Sequence, residues 1–387
     1  FIDVNMLQEI HEVGTKEKVE SVWESNFKGD VLPIVAISFC WLTPKHPDPY
    51  GQQLATVAAA LEREQDKYIF KEMAVFWDWV SLYQKDVDGN RTEEEKQGFT
   101  FALEETMDLW YAHQGTHVYL LTKLPENAER KIGYADSGWT TYERCSAEQI
   151  KKFYVFAYKA KLVLDLGAEE GTEQVRNWPI GPDDFDKLIE QKTFTNGADR
   201  HEVKKLFRKM SAQQLGGIEE LDFDGMKRLS VEDGRRLGGC LKLCAKLRGL
   251  DLRNVGMTSE ALNALASSLG EGALGTCETL YLRENKIGDA GMRGLAEALG
   301  RGALGTCQVL RLDSNRALAD ALGRGALANC KELYLSYNQI GDDGMRALAE
   351  ALGRGALGTC QVLRLDSKKL SLNENQIGDD GMRALAE

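Results

Sequence analysis

Leucine alternates with polar residues in a nine-residue pattern that recurs through the second half of the chain. The stretch Cys277–Asn285 has the form CxxLxLxxN, and the same form returns at Cys307–Asn315 and Cys330–Asn338. Because side chains alternate between the two faces of a strand, Leu280 and Leu282 are predicted to point inward and the residues beside them outward. The pattern therefore predicts a series of short strands, each with one buried and one accessible side.

A turn and a helix are predicted after each of these strands. Gly288 and Gly291 favour a tight turn, and apolar residues follow at helical spacing from Met292 to Leu299. One such unit cannot bury both its leucines and its helix stripe, so neighbouring units must stack to make a core. The unit resembles the leucine-rich repeat of the ribonuclease-inhibitor type, which implies an α/β leucine-rich repeat solenoid with an open, concave sheet face.

The spacing of the repeats is interrupted twice. Successive repeats are usually 30 residues apart, but the spacing falls to 23 residues before Leu333 and to 7 before Leu370. Since the two shortened spacings together make one period, we hypothesise that the junctions Asn315–Arg316 and Ser367–Lys368 are gaps and not covalent continuity. The chain also starts without Met and stops at Glu387 inside a predicted helix, so we expect a fragment with an incomplete last repeat.

Tyr and Arg recur at the outward positions of the predicted strands. Protein interfaces favour these two residue types, so we predict that a protein partner binds this concave face. The predicted partner-binding residues are Asp251, Arg253, Tyr281, Arg283, Arg311, Asp313, Tyr334, Ser336, Arg364 and Asp366. The alternative is that they are ordinary solvated strand positions.

Strand-like and helix-like segments alternate in the first half of the chain. Val31–Phe39 is a continuous apolar run, typical of a strand that is buried on both faces, and Gln52–Glu64 has helical periodicity. The side chains predicted to be buried on that helix are Leu54, Val57, Ala58 and Leu61. Further strands are predicted at 73–77, 116–121 and 162–166, and further helices at 93–113 and 141–158. Such alternation predicts an α/β fold, a flavodoxin-like parallel sheet with flanking helices.

Composition changes abruptly between the two halves. All seven Trp and all seven Pro precede residue 183, whereas Leu, Ala and Gly dominate after about residue 215. At 387 residues the chain is long enough for two domains with separate cores. We therefore predict an N-terminal extension at residues 1–30, an α/β domain at 31–212 and a leucine-rich repeat domain at 213–387.

Three short motifs stand where a predicted strand ends or a predicted helix begins: Ile37–Phe39, Phe76–Asp78 and Trp139–Glu143. They are similar to landmarks of Toll/interleukin-receptor (TIR) domains and of the related fungal heterokaryon-incompatibility (HET) domains. Ser81–Gln84 and Met107–Tyr111 look more like the HET branch. The resemblance covers about residues 31 to 170, and it implies a domain that signals or assembles through self-association.

In enzymatic TIR domains, the Glu four residues after such a Trp serves NAD cleavage. The resemblance therefore implies a catalytic role for Glu143, with Ser38, Phe39, Asp78 and Trp139 as substrate-binding residues. A carboxylate near the C-terminal ends of parallel strands can engage ribose hydroxyls and stabilise positive charge as the nicotinamide bond breaks. NAD would be a substrate, and no resident cofactor is predicted. The alternatives are that Glu143 is an exposed first-turn carboxylate favoured by the helix dipole and that Trp139 is a core residue.

The charge of the chain excludes some partners. A formal net charge of −12 argues against a general affinity for nucleic acid, because phosphate-rich partners select basic surfaces. There is no run of eighteen apolar residues, and the start at Phe1 lacks the pattern of a signal peptide. We therefore predict no nucleic-acid binding and no direct membrane insertion.

Cysteine and histidine suggest neither disulfides nor a metal site. Four of the eight Cys fall at one position of successive repeats, as a buried thiol would, so we predict reduced core thiols. Reduced thiols imply the cytoplasm or another reducing intracellular compartment, with organelle targeting left open by the start of the chain. Asp86–Asn90 is interpreted as a polar turn, and His113 and His117 as surface or strand-edge residues.

Three functions are compatible with these patterns. The first is a protein-interaction, sensor or scaffold protein, and the second is a NAD glycohydrolase that the repeats regulate. The third is a structural subunit of a large assembly. The first two are separated by Glu143, because a solvent-exposed Glu143 with no cleft beside Ser38 and Asp78 would exclude the enzyme.

Overall fold

The structure is a computed structural model. It describes residues 32–43, 46–68, 72–86, 88–152, 154–155, 160–168, 176–226, 228–269, 274–287, 290–291, 294–295, 298, 307–311, 332–334 and 362–364. The contacts divide the chain into two compact units, Phe1–Val175 with Leu188–Leu206 and Arg176–Lys187 with Phe207–Glu387. The predicted domain boundary between residues 212 and 213 falls inside the helix Asp199–Gly217.

The first unit contains a parallel sheet. Its described strands are β1 (Ile34–Ser38), β2 (Ala74–Phe76), β3 (His117–Leu120), β4 (Tyr154–Val155), β5 (Ala160–Lys161) and β6 (Val163–Asp165). Four of them pair in the order β2-β1-β3-β6 with every pair parallel, whereas β4 and β5 form a separate antiparallel pair. The predicted parallel α/β sheet is therefore confirmed.

The helices of this unit differ from the prediction at two places. They are α1 (Gln52–Tyr68), α2 (Asp78–Ser81), α3 (Glu93–Phe101), α4 (Met107–Ala112) and α5 (Gly138–Ala147). The long helix predicted at 93–113 is present from Glu93 to Ala112, but a π-helical segment at Ala102–Thr106 lies between α3 and α4. The helix predicted at 141–158 has other bounds, because α5 begins at Gly138 and ends at Ala147. The fully buried Lys151 donates a hydrogen bond to the carbonyl of His113, a tertiary contact that periodicity does not register.

The two faces of the sheet have separate cores. Ala36 and Cys40 pack with Phe76, Tyr111 and Tyr134 on one face. The alternate positions of β1 pack on the other face with Trp77 and with the buried side of α1; these positions are Val35, Ile37 and Phe39. Because strand side chains alternate, Ser38 belongs to the first face and Phe39 to the second.

The buried side of α1 was predicted in part. Val57 is buried and Leu61 packs against this core, as predicted, whereas Leu54 is 57% exposed and Ala58 is exposed. Gln53 is buried next to Leu54, and its side-chain amide donates to the carbonyl of Cys40 at 2.8 Å. A polar contact therefore occupies a buried position of the helix that the apolar spacing did not indicate.

The second unit contains a parallel sheet with one strand per repeat. Its described strands are β7 (Glu220–Asp222), β8 (Gly249–Asp251), β9 (Thr279–Tyr281), β10 (Val309–Arg311), β11 (Glu332–Tyr334) and β12 (Val362–Arg364). They are hydrogen-bonded in sequence order, and their central leucines are in register: Leu221, Leu250, Leu280, Leu310, Leu333 and Leu363. The predicted leucine ladder is confirmed, and the register holds across the 23-residue spacing. The junctions Asn315–Arg316 and Ser367–Lys368 lie outside the described residues.

Helices and buried thiols complete the repeats. α6 (Pro182–Glu190) and α7 (Asp199–Gly217) precede the first repeat strand, and each is divided between the two units. The repeat helices are α8 (Val231–Leu241), which follows β7, and α9 (Ser259–Ser268), which follows β8. α8 begins at a capping box, in which Ser230 accepts a hydrogen bond from the backbone of Asp233 and the Asp233 carboxylate accepts one in return. Cys277 and Cys307 are buried thiols, as predicted, whereas Cys330 and Cys360 lie outside the described residues.

One asparagine joins two neighbouring repeats. The Asn285 side chain is buried, and its carbonyl oxygen accepts hydrogen bonds from the backbone of Val255 and Met257 at 3.2 and 3.0 Å. Its amide nitrogen donates to the carbonyls of Leu252 and Leu282 at 2.7 and 2.9 Å. The Asn of the CxxLxLxxN pattern therefore supplies partners for backbone groups that no strand pairing satisfies.

Candidate functional site

Hydroxyl and carboxyl groups form a hydrogen-bonded chain at the carboxyl end of β1. Ser38 is the last residue of β1, and its Oγ donates to Oε2 of Glu143 at 2.6 Å. The hydroxyl of Tyr134 lies 2.6 Å from the same Oγ. A serine has one hydroxyl proton, so with that proton on Glu143 the tyrosine must be the donor to Ser38. The chain of donation thus runs from Tyr134 to Ser38 to Glu143.

Glu143 is buried in this arrangement. It is the sixth residue of α5 and is 6% exposed, so the alternative of an exposed first-turn carboxylate is wrong. Burial raises the pKa of Glu143 well above its ordinary value, and repulsion from Asp78 raises it further. The hydrogen bond from Ser38 and the nearby hydroxyl of Tyr111 act in the opposite direction without overcoming the burial. The raised pKa means that the neutral form of Glu143 is favoured relative to that of a glutamate in solvent.

Asp78 is the second carboxyl group of the site. It is the first residue of α2, just beyond the end of β2, and its carboxyl group is largely buried although the residue as a whole is intermediate in exposure. Its Oδ1 accepts a hydrogen bond from the backbone N–H of Trp79 at 2.6 Å. Desolvation raises the pKa of Asp78 to about 6 against the lowering effect of that hydrogen bond.

Two tyrosines of the site were not predicted as site residues, although Tyr111 ends the motif Met107–Tyr111. Tyr111 is fully buried, donates to the carbonyl of Ile37 at 3.1 Å, and has its pKa raised by burial first and then by Glu143 and Asp78. Tyr134 comes from a single 3-10 turn, Tyr134–Asp136. The hydroxyl of Thr140 donates to the carbonyl of Tyr134 at 2.6 Å, which fixes that turn against α5.

The structure places Phe39 and Trp139 away from this chain of groups. The Phe39 ring packs edge-on against Trp77, with centroids 5.2 Å apart, on the face of the sheet that α1 covers. The Trp139 indole donates to Oδ2 of Asp199 at 3.0 Å, and its ring lies against Tyr142. Of the five predicted residues, the structure thus brings together Ser38, Asp78 and Glu143.

Charged residues also surround the neighbouring strand ends. The guanidinium of Arg144 contacts the carboxylate of Glu148 at 3.1 Å, and the carboxylate of Asp165 also raises the pKa of Arg144. Asp165 ends β6, and its Oδ1 accepts a hydrogen bond from the hydroxyl of Thr122 at 2.5 Å. Polar groups therefore continue along the carboxyl edge from β1 to β6.

The structure describes the side chains of the predicted partner-binding face on β8 and β9. The two outward residues of one strand are called a rank here, so that Asp251 with Arg253 is one rank and Tyr281 with Arg283 is the next. The guanidinium of Arg253 binds both carboxylate oxygens of Asp251 at 2.8 and 2.7 Å, and it lies 5.7 Å from the centre of the Tyr281 ring. Tyr281 and Arg283 are partly exposed, whereas Leu280 and Leu282 are buried, as predicted. Asp251 is itself largely buried, because Arg253 covers it.

Two acidic residues of this face were not predicted. Arg253 also lies 3.5 Å from the carboxylate of Asp224, and the negative charge of Asp222 helps to raise the pKa of Arg253. The signal was present, since Leu221-Asp222-Phe223-Asp224 aligns with Leu250-Asp251-Leu252-Arg253. For Arg311, Tyr334 and Arg364 only the strand backbone is described, and Asp313, Ser336 and Asp366 lie outside the described residues.

The structure also bears on the predictions for His117, for metal sites and for membrane-spanning helices. His117 opens β3 and is buried rather than on the surface, and burial lowers its pKa to about 4. Among the described residues, no three His, Cys, Asp or Glu side chains come together in a way that could hold a metal ion. No helix in the described part of the chain is both long and apolar enough to span a membrane.

The comparison with known families bears on the second half of the chain. A family model described as leucine-rich repeat matches residues 278–296, 331–349 and 368–386. No curated protein matches the chain. Leucine-rich repeats are generally protein-binding modules, and repeats of this kind stack one upon the next. The second half of the chain thus contains at least three leucine-rich repeats.

Proposed function

We propose that this chain is a protein-interaction protein of a reducing intracellular compartment. Its repeats bind a protein partner on the concave face, and its N-terminal domain, which resembles TIR and HET domains, signals or assembles with copies of itself. The observation that carries the proposal is the pair of ranks formed by Asp251 with Arg253 and by Tyr281 with Arg283. These side chains lie on the opposite side of the sheet from the buried leucines.

The described ranks have the properties of a binding surface. Arg253 is already oriented by Asp251 and by the Tyr281 ring, so a partner that contacts it would order little further side-chain freedom. Tyr and Arg are also the residue types most often found to dominate binding energy at interfaces. A partner centred on β8 and β9 would contact both.

Binding of the partner to the concave face is tested with a double substitution in one rank. Tyr281→Ala with Arg283→Ala is expected to weaken binding of the partner by at least about 10-fold, since each residue type commonly contributes more than 1 kcal/mol at an interface. The measurement is a titration of the partner that is recovered with the wild-type protein and then purified. Glu260→Ala, at an exposed position of helix α9, is the control and should bind as the wild type does. Equal binding by the double variant would refute the concave face as the interface.

A second candidate function is that of a NAD glycohydrolase. The observation that favours it is the burial of Glu143 beside Ser38, together with Asp78, at the carboxyl edge of a parallel sheet. Open α/β sheets bind ligands outside the carboxyl ends of their strands. Perturbed carboxyl groups cluster at functional sites, because catalysis needs ionisation to differ from that of a free side chain.

Nicotinamide release from NAD tests this candidate. Wild-type protein in its assembled state should release nicotinamide, and Glu143→Ala should reduce the rate by about 100-fold or more, the range of a lost acid-base group. Glu129→Ala removes an exposed carboxylate and should leave the rate unchanged. If the assembled wild type releases none, the glycohydrolase candidate is excluded and the binding function remains.

A further inference from the structure

The first three strands of the repeat sheet present an acidic outward face. In β7 the buried Leu221 stands between two residues that are not buried, so those two face outward like the ranks of β8 and β9. At the outward positions of β7, β8 and β9 and at the residue after each rank, the carboxylates are those of Glu220, Asp222, Asp224, Asp251 and Glu284. The guanidinium groups at these positions are those of Arg253 and Arg283. Five carboxylates and two guanidinium groups give this end of the face a formal charge of −3.

Both guanidinium groups already have carboxylate neighbours. Arg253 binds the two carboxylate oxygens of Asp251 at 2.8 and 2.7 Å and lies 3.5 Å from a carboxylate oxygen of Asp224. Nε of Arg283 lies 3.6 Å from Oε1 of Glu284. The positive charge of this end is therefore balanced within the protein, and the surplus charge that a partner meets is negative.

The backbone of Glu284 has a conformation that suits glutamate poorly. Its φ is 59°, in the left-handed region, and the residues at the same position of the two preceding repeats are Gly225 at 80° and Asn254 at 51°. Glycine and asparagine adopt this conformation readily, whereas the Cβ of a glutamate crowds the following carbonyl oxygen. The side chain of Glu284 is exposed, so burial does not offset that strain. Strained residues are typical of sites that bind a ligand or partner.

We propose that the partner presents a basic segment to this end of the concave face, and that Asp222, Asp224 and Glu284 receive its Lys or Arg side chains. The proposal rests on the protein-interaction function and names the chemistry of its partner. Carboxylates form charge-assisted hydrogen bonds with ammonium and guanidinium groups, and interfaces set opposite charges against each other. An acidic segment would instead have to displace Asp251 or Glu284 from the two arginines.

Two synthetic peptides of opposite charge test this chemistry before the partner is identified. The full-length, isotope-labelled protein is titrated at low salt with a nonapeptide of alternating arginine and glycine, and with its counterpart in which every arginine is a glutamate. The arginine peptide is expected to bind at least about 10-fold more tightly, the combined effect of several exposed charge pairs. Raising the salt to about 0.5 M should weaken its binding, because exposed charges are screened.

The location of the bound peptide matters as much as its affinity. A chain with a net charge of −12 attracts cationic peptides in general, so binding alone does not identify the face. In amide spectra of the labelled protein, the arginine peptide is expected to shift the signals of Asp222, Asp224 and Glu284 more than those of other acidic surfaces.

Substitutions that remove charge and keep shape identify the carboxylates. Oδ1 of Asp222 accepts a hydrogen bond from the backbone N–H of Asp224 at 3.0 Å, and an asparagine side chain can accept it as well. Asp222→Asn with Asp224→Asn should therefore weaken the arginine peptide by about 5-fold or more without loss of structure, and Glu284→Gln by about 2-fold or more. Glu126→Gln with Glu129→Gln removes two exposed carboxylates from the N-terminal domain and should leave the affinity unchanged.

Several results would overturn the basic partner. They are preference for the glutamate peptide, binding of neither peptide, shifts that are no larger on β7 to β9 than elsewhere, and equal affinities for the aspartate variant and its control. If any of these occurs while Tyr281→Ala with Arg283→Ala loses the purified partner, the concave face stands as the interface and its partner is not basic. If that double variant keeps the partner, the concave face is not the interface and this proposal fails with it.

Discussion

Replacement of Asn285 by Ala is expected to lower the free energy of unfolding of the repeat unit by about 3 kcal/mol. The side chain supplies partners to two backbone N–H groups and two carbonyls of neighbouring repeats. Each buried polar group left without a partner costs about 1–3 kcal/mol, and water entering the space offsets part of the sum. The loss is large because the groups left behind belong to the backbone and have no alternative partner.

Amide hydrogen exchange measures the loss of stability at the backbone N–H groups that Asn285 binds. A loss of about 3 kcal/mol corresponds to roughly 100-fold faster exchange of the Val255 and Met257 amides. Lys286→Ala changes the adjacent exposed side chain and should leave both amides protected. Unchanged protection in Asn285→Ala would mean that the asparagine is not what joins the two repeats.

The effect of Asn285 extends to the proposed binding face. Val255 and Met257 follow Arg253 by only a few residues, so the turn that Asn285 holds is the turn that leaves the Arg253 rank. A repeat contacts mainly its neighbours, and a local loss of order therefore spreads to the adjacent strands first. Substitution of Asn285 should consequently weaken partner binding without removing any side chain that touches the partner.

The repeats could be predicted from the sequence because their signal is repeated. The CxxLxLxxN pattern gave the register of β9, β10 and β11, and the structure pairs their leucines as expected. The first strand, β7, was harder, because Ile218 and Met226 stand where Cys and Asn occur later. Asp222 and Asp224 were missed for this reason, although the alternation of Leu221 and Phe223 marks the same strand.

The N-terminal domain could be predicted in its strands but less well in its helices. Runs of apolar residues located β1, β2, β3 and β6, because a strand buried on both faces must be apolar throughout. Helix faces also depend on single polar contacts, and the hydrogen bond from Gln53 to Cys40 places a glutamine on the buried side of α1 while Leu54 is exposed. Such contacts join residues that no local pattern connects.

The candidate site, too, could be predicted only in part. Ser38, Asp78 and Glu143 lie in short motifs at strand ends and at a helix start, so the resemblance could place them. Tyr134 and Tyr111 lie far from Ser38 in sequence and meet the site only through the fold. Trp139 lies in a motif but not in the site, because its indole N–H donates a hydrogen bond to Asp199. Motifs therefore located the carboxyl groups, whereas their ionisation depends on residues that only the fold brings near.

Replacement of Glu143 by Gln is expected to stabilise the protein at alkaline pH, by about 1.4 kcal/mol for each unit by which folding raises the pKa of Glu143. The pKa of Glu143 is raised in the folded state, so the folded protein binds the proton more tightly than the unfolded chain does. Stability from this group is complete below the ordinary glutamate pKa and is lost as the pH rises through the raised value. A glutamine is neutral throughout and removes that loss.

The measurement is the free energy of unfolding from urea titrations at pH 5 and pH 8, for wild type and for Glu143→Gln. Asp78 also makes the folded protein less stable as the pH rises to about 6, because its pKa is raised. His117, with its pKa lowered to about 4, makes the folded protein more stable as the pH rises. Both groups are present in both proteins and cancel in the comparison, and Glu129→Gln controls for the loss of one exposed charge. A variant no more stable than wild type at pH 8 would show that the pKa of Glu143 is not raised in the folded protein. A stabilised variant would mean that the wild type retains a destabilising acid at this position, which is the usual mark of a residue kept for function.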